Sequence, residues 1–290
     1  MSFYTFFYAC RSLVEAFYKE SAIPSSHGFD HAEQVATHIV YAFTSEQDEK
    51  MENYELVAPM KGSFAWVRKF VASDQQRAIL IAAFLHDVDD RKYFTHTDSR
   101  NAKALLKQFV EKGLLNEDLV PLVLQMIGLV STSSNGSSID ETLPKWMYLP
   151  RDADRLEAIG EVGVKRCFEY TLEKTPPRPF WKDETELVLD DEHLKKMATK
   201  DRYDQYVKSG GKSACAIDHF YDKLFHVGVM SSGHSYMVKT AWARDQDMRT
   251  LLYKFNRVYQ EQGLDEAMKQ IHAFLGSFVS LSIWFDPTVT

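Results

Sequence analysis

The sequence predicts an all-α protein, and three observations carry that expectation. Apolar residues recur every three or four positions along nearly every patterned segment, the spacing that gathers them on one face of a helix. No segment alternates apolar and polar residues over the length of a strand, as a half-buried strand would. Helix breakers collect between the periodic segments, in STSSNGSS and in KTPPRPFWKDET, where glycine and proline interrupt regular structure.

Taken in order, Phe6, Phe7, Val14 and Phe17 mark a first amphipathic helix. A second is expected to start near Asp30, where Asp30 and Glu33 fit a capping box,. Its inner face would carry His31, Val35, His38 or Ile39, and Ala42. Residues from about 44 to 73 are polar and irregular and read as an insertion. Ser73 and Gln76 form a second capping box ahead of a central buried helix, apolar on most sides from Ala78 to Leu85 and expected to end near Asp89,. Ala102, Leu105, Leu106, Phe109 and Val110 mark the next helix, with Gly113 as its C-terminal stop,. Leu119, Leu122, Val123, Met126, Ile127 and Val130 mark another from about Asn116.

Pro150 opens a helix expected over roughly 151–174,. The stretch 175–212 reads as a long excursion and a candidate lid. Ile217, Phe220, Tyr221, Leu224 and Phe225 begin a C-terminal helical section, with a long helix near 234–262 and a last one near 264–279. Gly210-Gly211-Lys212-Ser213 lacks the upstream glycine and the preceding strand of a phosphate-binding loop,. It reads instead as the start of a helix capped by Ser213. There is no internal repeat, and the expected organisation is a single domain over 1–290,.

With 45% hydrophobic and 13% aromatic residues the chain is suited to a packed core,. Its net charge of −7 argues against a general nucleic-acid coat, because neutralising many phosphates needs a basic surface. A small phosphorylated substrate stays open, since a bound cation supplies positive charge locally. Cys10, Cys167 and Cys215 are odd in number, widely spaced and without a CxxC pair, which points to reduced thiols in a cytoplasmic protein. The aromatic N-terminus is interrupted by Arg11, Glu15, Lys19 and Glu20 and is not read as a signal peptide,. No run approaches the roughly 20 apolar residues of a membrane span,.

The chemistry-bearing feature is His86-Asp87, adjacent at the end of the apolar run AILIAAFLHDVDD. Neither side chain tolerates burial without a partner, and imidazole with carboxylate is a good ligand pair for a divalent metal. His31 in HGFDHAEQV lies upstream, and Asp152 and Asp154 in RDADRLEAIG lie downstream. The intervals are too long for spacing alone to prove that these groups meet.

The order His … His-Asp … Asp in these contexts resembles the HD-domain superfamily of metal-dependent phosphohydrolases. DADRLEAIG and the later AIDHFYDKL look most like its small bacterial-type members that act on nucleotides. The resemblance spans roughly residues 20–230. It implies an all-α HD-domain bundle with additional C-terminal helices. It also implies one divalent metal held by His31, His86, Asp87 and Asp154: Mn²⁺ in first place, with Mg²⁺, Co²⁺, Fe²⁺ or Zn²⁺ as other choices. Asp154 matches the family pattern better than Asp152, which would then orient a histidine from behind. Two-metal members carry further histidines between the His-Asp pair and the last aspartate. Only His96 lies there in this chain, so a mononuclear site is expected.

Asp90, three residues beyond Asp87, is the expected general base, where related nucleotidases often carry Glu. Asp89 is expected to face outward. His27, Arg91, Lys92 and Arg155 are candidate phosphate ligands, although a cation at a helix end is as readily a solvated partner of the helix dipole. His219 recurs in the resembling proteins and is expected to pack beneath the site. His38, His193, His226 and His272 are read as structural or solvated. The implied activity is conversion of a (deoxy)nucleoside triphosphate to the monophosphate and pyrophosphate. A 5′-nucleotidase and an inactive metal-bound scaffold for a nucleotide or partner are the rival readings. A homodimer is compatible with either.

Overall fold

In this computed structural model the described residues are 1–21, 23, 28–48, 72–91, 93–95, 98–131, 138–173 and 178–277. Most of the expected 44–73 insertion therefore lies outside them. The protein is all-α, with no strand among the described residues. They divide into two compact units, residues 1–155 with 230–239 and residues 156–229 with 240–290. No helix among them is long and apolar enough to cross a membrane.

The first unit is built on α1 (Phe3–Glu20), α2 (Phe29–Asp48), α3 (Asp74–Leu85), α4 (Arg100–Glu111) and α5 (Val120–Val130). In α1 the buried stripe is Phe3, Phe6, Phe7, Cys10, Val14 and Tyr18. Its last member is Tyr18, not the expected Phe17, because successive steps of four from Cys10 reach position 18. α3 is the centre of the unit. Its capping box forms as expected, Ser73 accepting from the Gln76 N–H and Gln76 bonding back, and every residue from Ala78 to Leu85 is buried. α2 and α5 pack against it, and Phe7 of α1 meets Phe84 at 5.3 Å between ring centres. A side chain on any face of α3 thus meets another helix, which explains why its sequence lacks a polar side.

α4 ends as the sequence predicts. Gly113 adopts φ +67 and its N–H reaches Val110, while Leu114 N–H reaches back to Phe109 at 2.9 Å. This Schellman arrangement satisfies carbonyls that the helix end would leave unpaired.

α6 (Leu149–Glu157) and α7 (Gly160–Glu173) replace the single helix expected over 151–174. Gly160 turns the chain at φ +72, and a Cβ on Gly163 would lie 2.3 Å from the backbone of Ala158. The two glycines permit a break that periodicity does not show. The stretch read as a lid is instead packed structure. It contains α8 (Asp191–Met197) and α9 (Lys200–Lys208), and Phe180, Trp181, Val188, Leu194 and Tyr203 are buried.

Gly210 and Gly211, both at φ +77, terminate α9. Gly211 N–H bonds Tyr206 and Gly210 N–H bonds Val207, a second Schellman stop,. Cys215, not Ser213, caps the following helix Ala216–His219 by accepting the Asp218 N–H. A π turn, Phe220–Leu224, and the short helix Phe225–Val227 continue it. The chain closes with α10 (Ser235–Gln262) and α11 (Leu264–Ser277).

The second unit contains two polar assemblies, one part-buried and one fully buried. Arg202 forms ion pairs with Asp218, at 2.6 Å, and with Asp222, and lies over the Tyr221 ring. Asn256, fully buried, accepts from Trp181 Nε1 and donates to Val188 O and to the Tyr221 hydroxyl. Satisfied networks of this kind fix one packing, because leaving any member unpaired in a low dielectric is costly. The three cysteines are free thiols.

His219 belongs to this unit. Its Nδ1 lies 3.0 Å from the Ser213 hydroxyl. Burial first, then the nearby Lys223 and Arg178 cations, pull its pKa down to about 3. An unfolded histidine titrates near ~6.5, so between these values the unfolded chain binds a proton that the folded chain refuses. Stability is therefore present above the unfolded pKa and lost as pH falls toward the folded one. Urea unfolding of the wild type from about pH 7 down to about pH 4 is expected to show a falling midpoint, and His219→Gln should flatten that fall. An unchanged acid slope in the variant would contradict this assignment.

Candidate metal centre

The first turn of α2 presents His31. The Gly28 carbonyl accepts both the His31 and Ala32 N–H groups, so the helix starts at Phe29 and Asp30 already lies inside it. The expected capping box does not form. Glu33 instead pairs with Arg11 of α1 at 2.5 Å, and the same guanidinium lies over the Phe29 ring at 4.9 Å. One arginine thereby pins the turn that carries the histidine.

α3 ends at Leu85, earlier than expected, and His86 is its C-terminal cap. The chain continues in tight turns, Val88 N–H to Leu85 O and Asp90 N–H to Asp87 O. These turns swing Asp87 beside His86. The His86 Nδ1 lies 2.8 Å from the Ala83 carbonyl. A carbonyl only accepts, so Nδ1 carries a proton and Nε2 is the ring nitrogen that faces the site, with its lone pair free once the ring is neutral. Asp154 comes from α6.

All four side chains converge. The His31 and His86 Nε2 atoms are 3.2 Å apart. Asp154 Oδ1 is 3.2 Å from His31 Nε2 and 3.6 Å from His86 Nε2. Asp87 Oδ2 is 3.3 Å from His86 Nε2 and 3.7 Å from His31 Nε2. Both imidazoles are buried and both carboxylates are partly buried. Burial opposes charge on His86, but Asp87 and Asp154 overcome it and hold its pKa well above the ordinary value. Burial likewise opposes ionisation of Asp87 and Asp154, and the two histidines hold both carboxylates well below theirs. Two imidazole nitrogens and two carboxylates gathered in this way form a donor set that fits a divalent cation,. Among the described residues, His31, His86 and Asp154 each offer a donor atom within 4.8 Å of the other two.

Asp90 directly follows this turn and is partly buried, its carbonyl accepting from the Tyr93 and Phe94 N–H groups. Asp89 does not face outward. Its two oxygens accept the Asn101 and Ala102 N–H groups at 3.0 and 2.9 Å, capping α4, whose own N-cap Ser99 makes no side-chain bond. Arg91 is exposed.

Asp152 does not orient a histidine. It is fully buried and accepts from the Ser231 N–H, the Ser232 N–H and the Ser232 hydroxyl at 2.6–2.8 Å. Arg155 is buried and reaches the Ser231 hydroxyl at 3.4 Å. Asp154 thus faces the site while Asp152 and Arg155 face the segment before α10, since successive helical positions cannot share a face. His27, Lys92 and His96 lie outside the described residues.

Among the other histidines, His38 Nδ1 meets the Tyr236 hydroxyl at 2.7 Å and His226 Nε2 meets the Tyr221 carbonyl. Tyr18 is the residue that motif reading missed. Burial raises its pKa, and the charges of the Asp87 and Asp90 carboxylates raise it further. Position 18 on the buried stripe of α1 was the available signal.

No family model matches the chain. Over 197 residues it is 35% identical to the L803 protein of Acanthamoeba polyphaga mimivirus, an alignment that takes in 64% of this chain and 79% of that protein. Its fold is similar to that of a crystal structure from Lactobacillus plantarum, with a TM-score of 0.55 and 20% identity over 90% of this chain and 99% of the other. It is also similar to the crystal structure of an HD-superfamily hydrolase from Bacillus thuringiensis. There the TM-score is 0.54 and the identity 17%, over 88% of this chain and 97% of the other.

The Asp89 contacts have a measurable consequence. Asp89→Ala removes two charge-assisted bonds to the start of α4 and is expected to lower unfolding free energy by about 1–2 kcal/mol in urea titration. A solvent-facing aspartate would change it by no more than about 0.5 kcal/mol.

Proposed function

We propose, on the premise that this chain belongs to the family of the mimivirus L803 protein and has the HD-domain fold, that it is a metal-dependent phosphohydrolase. Its substrate would be a (deoxy)nucleoside triphosphate, cleaved to the monophosphate and pyrophosphate. The observation that supports this reading best is the convergence of two buried imidazoles and two carboxylates, with a further carboxylate, Asp90, one turn away.

His31, His86, Asp87 and Asp154 would hold the ion, and Mn²⁺ suits their mixed nitrogen and oxygen donors. When bound, a divalent cation supplies the positive charge that polarises a phosphoryl oxygen and makes nearby water more acidic. The chain's own residues do the rest. Asp90 takes a proton as a water oxygen attacks the α-phosphorus. The bond from that phosphorus to the bridging oxygen breaks, and pyrophosphate leaves with the electron pair. Arg91 and Lys92, next along the chain, offer cations to the phosphate chain. Neutralising charge locally in this way is needed in a protein whose net charge is −7,.

Product analysis with Mn²⁺-loaded protein and a panel of nucleoside mono- and triphosphates tests the reading. Pyrophosphate from triphosphates is the expected product, and Asp90→Asn should lower kcat by about a hundredfold or more without loss of bound metal. Orthophosphate released from monophosphates would overturn the reading in favour of a 5′-nucleotidase. No turnover would overturn it in favour of a binding scaffold.

A further inference from the structure

α1 brings one polar atom to the site that neither the metal ligands nor the proposed base accounts for. Tyr18 is 7% exposed, and its hydroxyl is buried without a hydrogen-bond partner among the described residues. Its ring is packed, 5.6 Å from Phe17 and 6.3 Å from Phe29 between centres, and a phenylalanine would fill that space equally well. The hydroxyl therefore adds nothing to packing, and leaving a donor desolvated and unmatched costs stability. Phe29 opens the helix that carries His31, so the phenol stands beside the first turn of α2. The charges acting on it are those of Asp87 and Asp90. An anionic phosphoryl group held near the Asp87 and Asp90 carboxylates needs hydrogen-bond donors as well as the cation.

We propose that the Tyr18 hydroxyl donates a hydrogen bond to a phosphoryl oxygen of the substrate, beside the first turn of α2. This inference rests on the phosphohydrolase reading above and deepens it. A phenol ordinarily titrates at about 10 and burial favours its neutral form, so it stays protonated at neutral pH. It acts as a neutral donor that orients the phosphoryl group and does not exchange protons with it. α1 thereby becomes part of the substrate site, not only a support for α2 and α3.

Tyr18→Phe in the full Mn²⁺-loaded chain tests this, with inorganic orthophosphate as the probe. Loss of one hydrogen bond to a charged acceptor is expected to weaken orthophosphate binding about tenfold. Mn²⁺ stoichiometry should be unchanged, and the melting temperature unchanged or higher, since the hydroxyl removed has no partner. With nucleotide substrate, kcat/KM should fall by a similar factor while its pH profile keeps its shape. If no nucleotide is turned over but orthophosphate binding still weakens, the Tyr18 assignment stands and the nucleotide reading falls. If nucleotides are hydrolysed and the variant matches the wild type in both orthophosphate affinity and kcat/KM, the Tyr18 assignment is overturned. A pH profile that loses one limb in the variant would also overturn it, by making the phenol an acid or base.

Discussion

Two carboxylates, each 3.2–3.7 Å from two buried imidazoles, are the constraint around which the first unit is organised. At such distances one pair of opposite charges is worth about 4 kcal/mol at an effective dielectric near 20, and two like charges repel as strongly. The group is balanced only when positive charge offsets both acids. That need explains why each member is fixed by bonds away from the site. His86 is tied to Ala83, the start of α2 to Arg11, and the turn after Asp87 to the N-terminus of α4 through Asp89. Removing water from such a cluster makes every one of these interactions stronger, and every misplaced one more expensive.

The same economy of contacts shapes α6. Asp154 faces the imidazoles, while Asp152 and Arg155 hold Ser231 and Ser232. A run of charged residues that reads as one motif in the sequence is therefore two structures laid along one helix. In the second unit, AIDHFYDKL behaves alike. Asp218 and Asp222, four apart, clamp Arg202, and His219 turns to Ser213.

Most of the fold was legible because it rests on local rules. Steps of three and four marked the helices, the Ser73–Gln76 box formed as written, and Gly113 stops α4 at positive φ. The readings that failed needed distant partners. Asp30 and Glu33 match a capping box, but Arg11 competes for Glu33. Asp89 follows a helix end and looks exposed until α4 arrives to use it. The proline-rich approach to 175–212 suggested a lid, whereas Phe180, Trp181 and Leu194 bury themselves in the second unit. The break at Gly160 depends on how closely Ala158 approaches Gly163, which no pattern of apolar residues reports. The candidate metal-ligand side chains were nameable through the ordered His, His-Asp and Asp, yet only the folded chain shows that residues 31, 86, 87 and 154 meet. Tyr18 was hidden because its chemistry lies in where α1 places it.

Calorimetric titration of metal-free protein with Mn²⁺, in the wild type and in Asp154→Ala, tests the central claim most directly. The donor set predicts one ion per wild-type chain, with protons released because the metal displaces them from imidazole, and no comparable binding in the variant. Absence of binding to the wild type, or equal binding in the variant, would contradict the assignment of these four side chains to one metal.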